Sequence, residues 1–214
     1  MTTEMFWNYL GAFNSATWMV QMIWLIAAIA ITFFLMSRRS IVANILMKVL
    51  LSFTFAWNGI AFFLVVMDGP VYDYFFAPLF LIVAALFLID IFTKQTEFRM
   101  PEKNWIKAVT YFWLLLWLIY PFIGLVLGRS FPQVCTPMNP CPSTVFGIAM
   151  IAAALPKVDK KVYIMLLPWA LMGLPKCLGV FQCYEDCILF ASGVYGLVIL
   201  IVNWKRMNQK ISGL

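Results

Sequence analysis

The 214-residue chain is 64% hydrophobic and only 11% charged, with a mean hydropathy of +0.92, well beyond the roughly 45–50% apolar content of soluble domains. A water-soluble globular protein is excluded. The net charge of +6 falls between long apolar runs, so it reads as a membrane-topology signal with affinity for anionic headgroups and not as a nucleic-acid surface.

A membrane-crossing helix needs about 20 mostly apolar residues. That rule predicts seven segments, at 15–36, 43–66, 74–92, 105–127, 143–155, 162–178 and 183–204. The runs are continuous and do not alternate in short pieces, which favours helices over a barrel. The connections are short. All of 1–214 therefore reads as one all-α integral membrane bundle of seven transmembrane helices. Lys and Arg gather after the first, third, fifth and seventh segments: Arg38 and Arg39; Lys94, Arg99, Lys103 and Lys107; Lys157, Lys160 and Lys161; Lys205, Arg206 and Lys210. The opposite loops carry Asp68, Asp73 and one cation, Arg129. Positive loops stay cytoplasmic, so the expected orientation has the N-terminus outside and the C-terminus inside a plasma (inner) membrane.

Residues 1–14 place Met5, Phe6, Tyr9, Leu10 and Phe13 at near-helical spacing, which predicts a separate helix lying in the outer interface. Asn14 or Ser15 would cap the first spanning helix behind it, and Gln21 follows one to two turns further in. In the second segment Lys48 lies near the cytoplasmic end and Asn58 in the outer half. Asp90 of the third lies at the depth of Lys48, so the two can pair and lower the cost of holding charge in hydrocarbon. The loop at 128–146 contains four prolines and is expected to be stiff and non-helical. The segment after it has too few apolar residues to span alone, and the next is interrupted by Pro168, Gly173 and Pro175. Short, Pro-interrupted segments of this kind mark transporter binding sites, where freed amides and carbonyls face a polar cavity. An inert kinked pair is the plainer alternative.

The densest chemistry lies at 174–187, with Lys176, Cys177, Cys183, Glu185, Asp186 and Cys187. Capping of the last helix plus a salt bridge to Lys176 would account for the two carboxylates. The functional alternative makes Lys176, Glu185 and Asp186 the polar floor of an outward-facing pocket, with Asn58, Gln21 and Arg129 as neighbours. All five cysteines fall toward the outer side, which points to disulfides among Cys135, Cys141, Cys177 and Cys183. The pairing is left open among three connectivities, with oxidation expected at Cys135 or Cys141 and Cys187 expected to be free. Cys183, Asp186 and Cys187 share a helical face and offer a soft-metal alternative. A thiol-redox role is a further alternative, though no closely spaced Cys pair supports it. The chain has no histidine, so His-based catalysis and His-ligated haem are excluded; a retinal Schiff base is not expected either, because the last helix has no lysine before Lys205. No cofactor is called for, and nothing points to an enzyme. The sequence reading is a small-solute transporter or solute-binding membrane protein, its partners the lipid bilayer and a small charged solute, with oligomerisation left open.

Three places carry a resemblance. Phe13 and Asn14 followed by Trp18 and Gln21, the run Asn139-Pro140-Cys141-Pro142-Ser143-Thr144-Val145-Phe146, and Gly179 followed by Asp186 resemble the pattern of a family of prokaryotic multi-pass membrane proteins of unknown function, whose central motif reads Pro-Cys-Pro-Thr-Thr-Ile-Phe. The resemblance covers most of the chain and implies an inner-membrane location without an activity. No histidine follows Trp57, so no His-dependent role carries over.

Overall fold

The computed structural model describes residues 2–38, 40–67, 69–179 and 181–207; Arg39, Asp68 and Lys210, three of the charges used above for orientation, lie outside them. Among the described residues the chain is helical and has no strand. Helix α1 (Thr3–Ser37) begins where the Thr2 hydroxyl accepts the Met5 amide at 3.2 Å and ends at extended Arg38. It is followed by α2 (Ile41–Met67), α3 (Tyr72–Thr93), α4 (Asn104–Val126), α5 (Pro140–Ala153), α6 (Lys160–Leu171), α7 (Gly173–Leu178) and α8 (Asp186–Asn203). Counting α6 with α7, six of these are long and apolar enough to cross a membrane, and with the short α5 they make the seven segments the hydropathy predicts. The chain is a helical membrane protein.

One expectation fails at once. Among the described residues of 1–14 no separate interfacial helix stands apart, because α1 runs unbroken from Thr3. Neither Pro nor Gly stands between Phe13 and Trp18 to break it, and Asn14 is not a cap: its side chain reaches out to the loop after α4.

Helix α5 is the axis of the bundle, with every residue from Pro140 to Ala153 buried. Its 14 residues rise about 21 Å against a hydrocarbon core of about 30 Å, so α5 cannot cross alone, as its length predicts. The segment 127–139 folds inward above it instead, burying Val134, Cys135, Met138 and Asn139. Around this axis pack aromatic rings. Trp117 of α4 lies 4.5 Å from Phe146 between ring centroids, and Phe63 of α2 lies 5.1 Å from Trp169 of α6.

Two departures from α geometry shape the half of the bundle in which α1 begins. Helix α2 widens to π-helical winding over Asn58–Met67, and α3 begins the same way over Tyr72–Phe76. Such winding is common at functional sites; where it begins, the Asn58 side-chain amide adds a second donor, at 2.9 Å, to Thr54 O, which also accepts the Asn58 backbone amide. The expected interruption of the sixth segment is a break between α6 and α7 at Met172. On the other side of the membrane core Lys48 meets Asp90 at 3.0 Å, both buried, and the same carboxylate accepts the Gln95 and Thr96 amides that turn the chain out of α3.

The start of α7 lies directly on the start of α8. A β-carbon at Gly173 would stand 2.6 Å from Asp186 O and 2.7 Å from Phe190 N, so only glycine permits the approach. Gly173→Ala is expected to cost about 1–3 kcal/mol, the usual penalty of overpacking, read as a lowered unfolding midpoint in detergent; an unchanged midpoint would mean that α7 and α8 are not held this closely.

Candidate functional site

The inward segment 127–139 carries backbone amides and carbonyls into an apolar bundle, where each must find a partner. Side chains from distant helices supply them. Asn14 donates to Pro132 O and Val134 O, both at 2.8 Å, Trp117 donates to Pro137 O at 3.0 Å, and Asn58 donates to Met138 O at 2.9 Å. Asn139 donates to Asn14 Oδ1 at 3.1 Å and receives the Thr136 amide at 2.6 Å. Gln21 completes the set, donating to Asn14 Oδ1 at 3.1 Å and accepting the Thr136 hydroxyl. Gln21 and Asn58, both predicted to be pocket neighbours, therefore hold the loop and do not line the cavity described below.

Lys176 and Asp186, by contrast, meet. Their charges are 3.1 Å apart, with Asp186 fully buried. The lysine Nζ also donates to Cys141 Sγ at 3.0 Å and stands 3.8 Å above the Trp169 ring. The carboxylate is satisfied from α4 and α5: Tyr120 donates to Oδ1 at 2.6 Å and Cys141 to Oδ2 at 3.4 Å. Glu185 takes a different partner, the guanidinium of Arg129, which is stacked 4.0 Å from the Trp7 ring. Glu185 and Asp186 thus stand side by side at the start of α8, each with its own cation. Sequence reasoning missed Tyr120 and Cys141 as members, because neither carries a formal charge; a tyrosine in the outer half of an otherwise apolar helix is the signal that could have found the first.

The cysteines depart from expectation. A disulfide joins Cys177 to Cys187, with Cα atoms 5.6 Å apart, so Cys187 is not free and the soft-metal set Cys183, Asp186 and Cys187 loses a ligand. Cys135 and Cys141, of which one or the other was expected to be oxidised, are buried thiols, as is Cys183. The reason lies in the turn between α7 and α8. Gly179, where a β-carbon would fall 2.4 Å from Pro175 O, folds the chain tightly, and Cys183 N bonds to Lys176 O at 3.2 Å. That turn sets Cys177 against the first turn of α8 and sends Cys183 inward, where its sulfur lies 3.9 Å from Cys135 Sγ. The hydrogen bond with Cys183 favours the Cys135 thiolate, but burial and the Glu185 and Asp186 carboxylates outweigh it and push the thiol up to about 12. Cys183 is raised too, by its bond to Cys135, by burial and by Asp186. Burial is also the largest influence on Glu185 and lifts it above the ordinary carboxylate range, against its backbone hydrogen bond and Arg129.

Beside this cluster lies a cavity of about 220 Å³. Its wall includes the rings of Phe6, Phe62, Phe63, Phe76 and Trp169, and Lys176, Cys141, Cys135 and Asn139 form its polar end. It is smaller than the roughly 300–1,000 Å³ pockets of drug-sized ligands.

A family model described as "Family of unknown function (DUF6064)" matches residues 3–211. No curated protein and no solved structure matches the chain.

Removing one partner of a buried pair strands the other charge and typically costs 3–5 kcal/mol, whereas removing both is far cheaper. Lys176→Met and Asp186→Asn are each expected to cost about that much, and the double variant less than either. Denaturation of all four proteins in detergent checks it; losses that simply add would show that the two residues do not interact. Unreduced protein, unfolded and alkylated, should carry label on Cys135, Cys141 and Cys183 and none on Cys177 or Cys187; mass spectrometry reads the pattern.

Proposed function

The chain belongs to the DUF6064 family of unknown function, and from its geometry we propose that it is a solute-binding or transport protein of the membrane, taking a small, mostly apolar solute with one acidic or carbonyl group. One observation carries this reading: an aromatic cavity with a single cation, Lys176, at its polar end. Such a cavity offers dispersion and ring contacts to the body of a ligand and one charged donor to its head. A freely polar solute gains little there, since most of the wall cannot hydrogen-bond.

Lys176 is already paired with Asp186, so the cluster is neutral before a ligand arrives. An acidic ligand then competes with Asp186 for the ammonium, and a carbonyl ligand shares it. Glu185 and Arg129 stand behind this pair and set the charge balance at the start of α8. On the positive-inside assignment the cavity opens toward the outer face of a plasma (inner) membrane, which suits uptake or sensing of an external solute. The π-helical stretches of α2 and α3, which bring Phe62, Phe63 and Phe76 to the cavity, supply winding that can change register as a ligand enters. The thiol-redox alternative is disfavoured, because Cys135 and Cys183 are buried and held protonated, whereas redox thiols are exposed and acidic.

Thermal unfolding of purified protein with benzoate, short-chain fatty acids, a matched amide and a matched amine checks the reading. The acids and the amide should raise the midpoint and the amine should not; a ligand at 100 times its Kd stabilises by about 2.7 kcal/mol. Lys176→Met/Asp186→Asn removes both charges together and is expected to stay folded and lose the shift for acids. If wild type responds to none of these probes, or the double variant responds equally, the cavity is not a binding site.

A further inference from the structure

The thiols of Cys135 and Cys183 lie beside a carboxylate whose second oxygen has no use in the cluster. The ligand atoms of Cys135, Cys183 and Glu185 fall within 4.8 Å of one another, and all three residues are buried. Arg129 occupies Glu185 Oε2. Glu185 Oε1 is buried with no hydrogen-bond partner, in a side chain with no exposed surface. Buried acceptors are normally satisfied, so an orphaned carboxylate oxygen next to two thiols needs a partner of the opposite kind.

We propose that Cys135, Cys183 and Glu185 form a three-ligand site for a thiophilic divalent cation, with zinc as its natural occupant.

Three independent features converge on it. The first is spacing. Two thiolates held at about 2.3 Å from one tetrahedral zinc ion stand about 3.8 Å apart, and the two sulfurs here are 3.9 Å apart without rearrangement. The second is ligand type, because two sulfurs and one carboxylate oxygen suit zinc and leave a fourth position for a further donor. The third is charge. Arg129 balances Glu185 and Lys176 balances Asp186, so the surroundings are neutral while both thiols keep their protons. Binding then reads as two thiols plus a divalent ion giving two zinc–sulfur bonds and two protons released to solvent, with no change of net charge. A monovalent copper ion on two thiolates would leave one uncompensated negative charge in a buried site, which is costly. Nothing is oxidised or reduced.

The position of the ligands in the fold gives the ion a role. Cys135 belongs to the inward loop, while Cys183 and Glu185 lead into α8, so one ion would staple the plug to the α7–α8 turn. The Cys177–Cys187 disulfide fixes that turn from the other side. The groups facing the two sulfurs are Glu185 and Asp186 with their counter-ions Arg129 and Lys176, and the neutral Cys141 and Tyr120. Each thiol gives up one proton to the metal bond, so zinc binding should tighten as the pH rises. The cavity meets this site only at Cys135, since Cys183 and Glu185 do not line it; the solute screen reads the cavity and metal retention reads the thiols, so failure of one reading leaves the other standing.

The test uses the full chain in detergent, with its disulfide intact. Metal content after zinc loading and desalting should be one per chain in wild type and in Cys141→Ser, and absent in Cys135→Ser and in Cys183→Ser. Cobalt(II) in place of zinc should give the intense thiolate-to-metal band of a tetrahedral site in the same two proteins. Should the serine variants fail to fold, wild type alone decides: bound zinc must protect Cys135 and Cys183, and not Cys141, from alkylation during brief unfolding. No zinc retained by wild type, retention undiminished in both folded serine variants, equal protection of all three thiols, or a Cys135–Cys183 disulfide in unreduced protein would each overturn the proposal.

Discussion

A central helix too short for its membrane sets the terms for the half of this protein in which α1 begins. Helix α5 covers about two thirds of a hydrocarbon core, and the missing third is filled by a proline-rich segment whose backbone cannot satisfy itself. The prolines lack amides to donate, and the carbonyls before them point away from any regular ladder. Hydrocarbon offers no partner. Asn14, Asn58 and Trp117, from three different helices, are spent on those groups, and Gln21 braces Asn14 and accepts the Thr136 hydroxyl. The polar residues of the outer half thus divide into two populations, one that holds the plug and one that forms the charged cluster.

The charged cluster follows from the same geometry. By turning inward the plug brings Cys135 and Cys141 to the level of Lys176 and the start of α8, and there two cations meet two carboxylates away from water. Charge in such a place persists only when paired and hydrogen-bonded. Tyr120, Cys141 and Trp169 complete the satisfaction of Asp186 and Lys176. The cavity lies on the side where the plug, α2, α3 and α6 leave space unfilled, so its polar end is the edge of the cluster and its wall is the aromatic core. Lys176 joins the two, lining the cavity while it pairs with Asp186.

Much of the frame was legible in the sequence because hydropathy acts along the chain. The seven apolar segments and the insufficiency of the fifth followed from counting, and Lys48 with Asp90 from matching depths. A pairing of Lys176 with one of the carboxylates at 185 and 186 was legible because a short stretch containing Gly179 separates them, so the search was local; which of the two it meets was left open. What stayed hidden depends on folding across the chain. The Asn14 to Asn139 bond links residues 125 apart, and no local rule selects it over capping. The Cys177–Cys187 pairing was missed because Cys187 was placed inside the helix, one turn beyond the loop, whereas the Gly179 turn returns the chain onto that turn. Tyr120 and Cys141 were hidden by neutrality: only the position of Asp186 gives them a role.

Hydrogen exchange of the folded protein in a lipid nanodisc tests the inward plug most directly, because exchange protection reports hydrogen bonding and burial locally. The amides of Thr136 and Asn139, bonded to Asn139 Oδ1 and Thr136 O, and that of Cys183, bonded to Lys176 O, are expected to exchange as slowly as those of α5. Exchange of peptides covering 134–139 within seconds, at the rate of a solvated surface loop, would contradict the account, since a plug open to water could not hold the charged cluster beneath it.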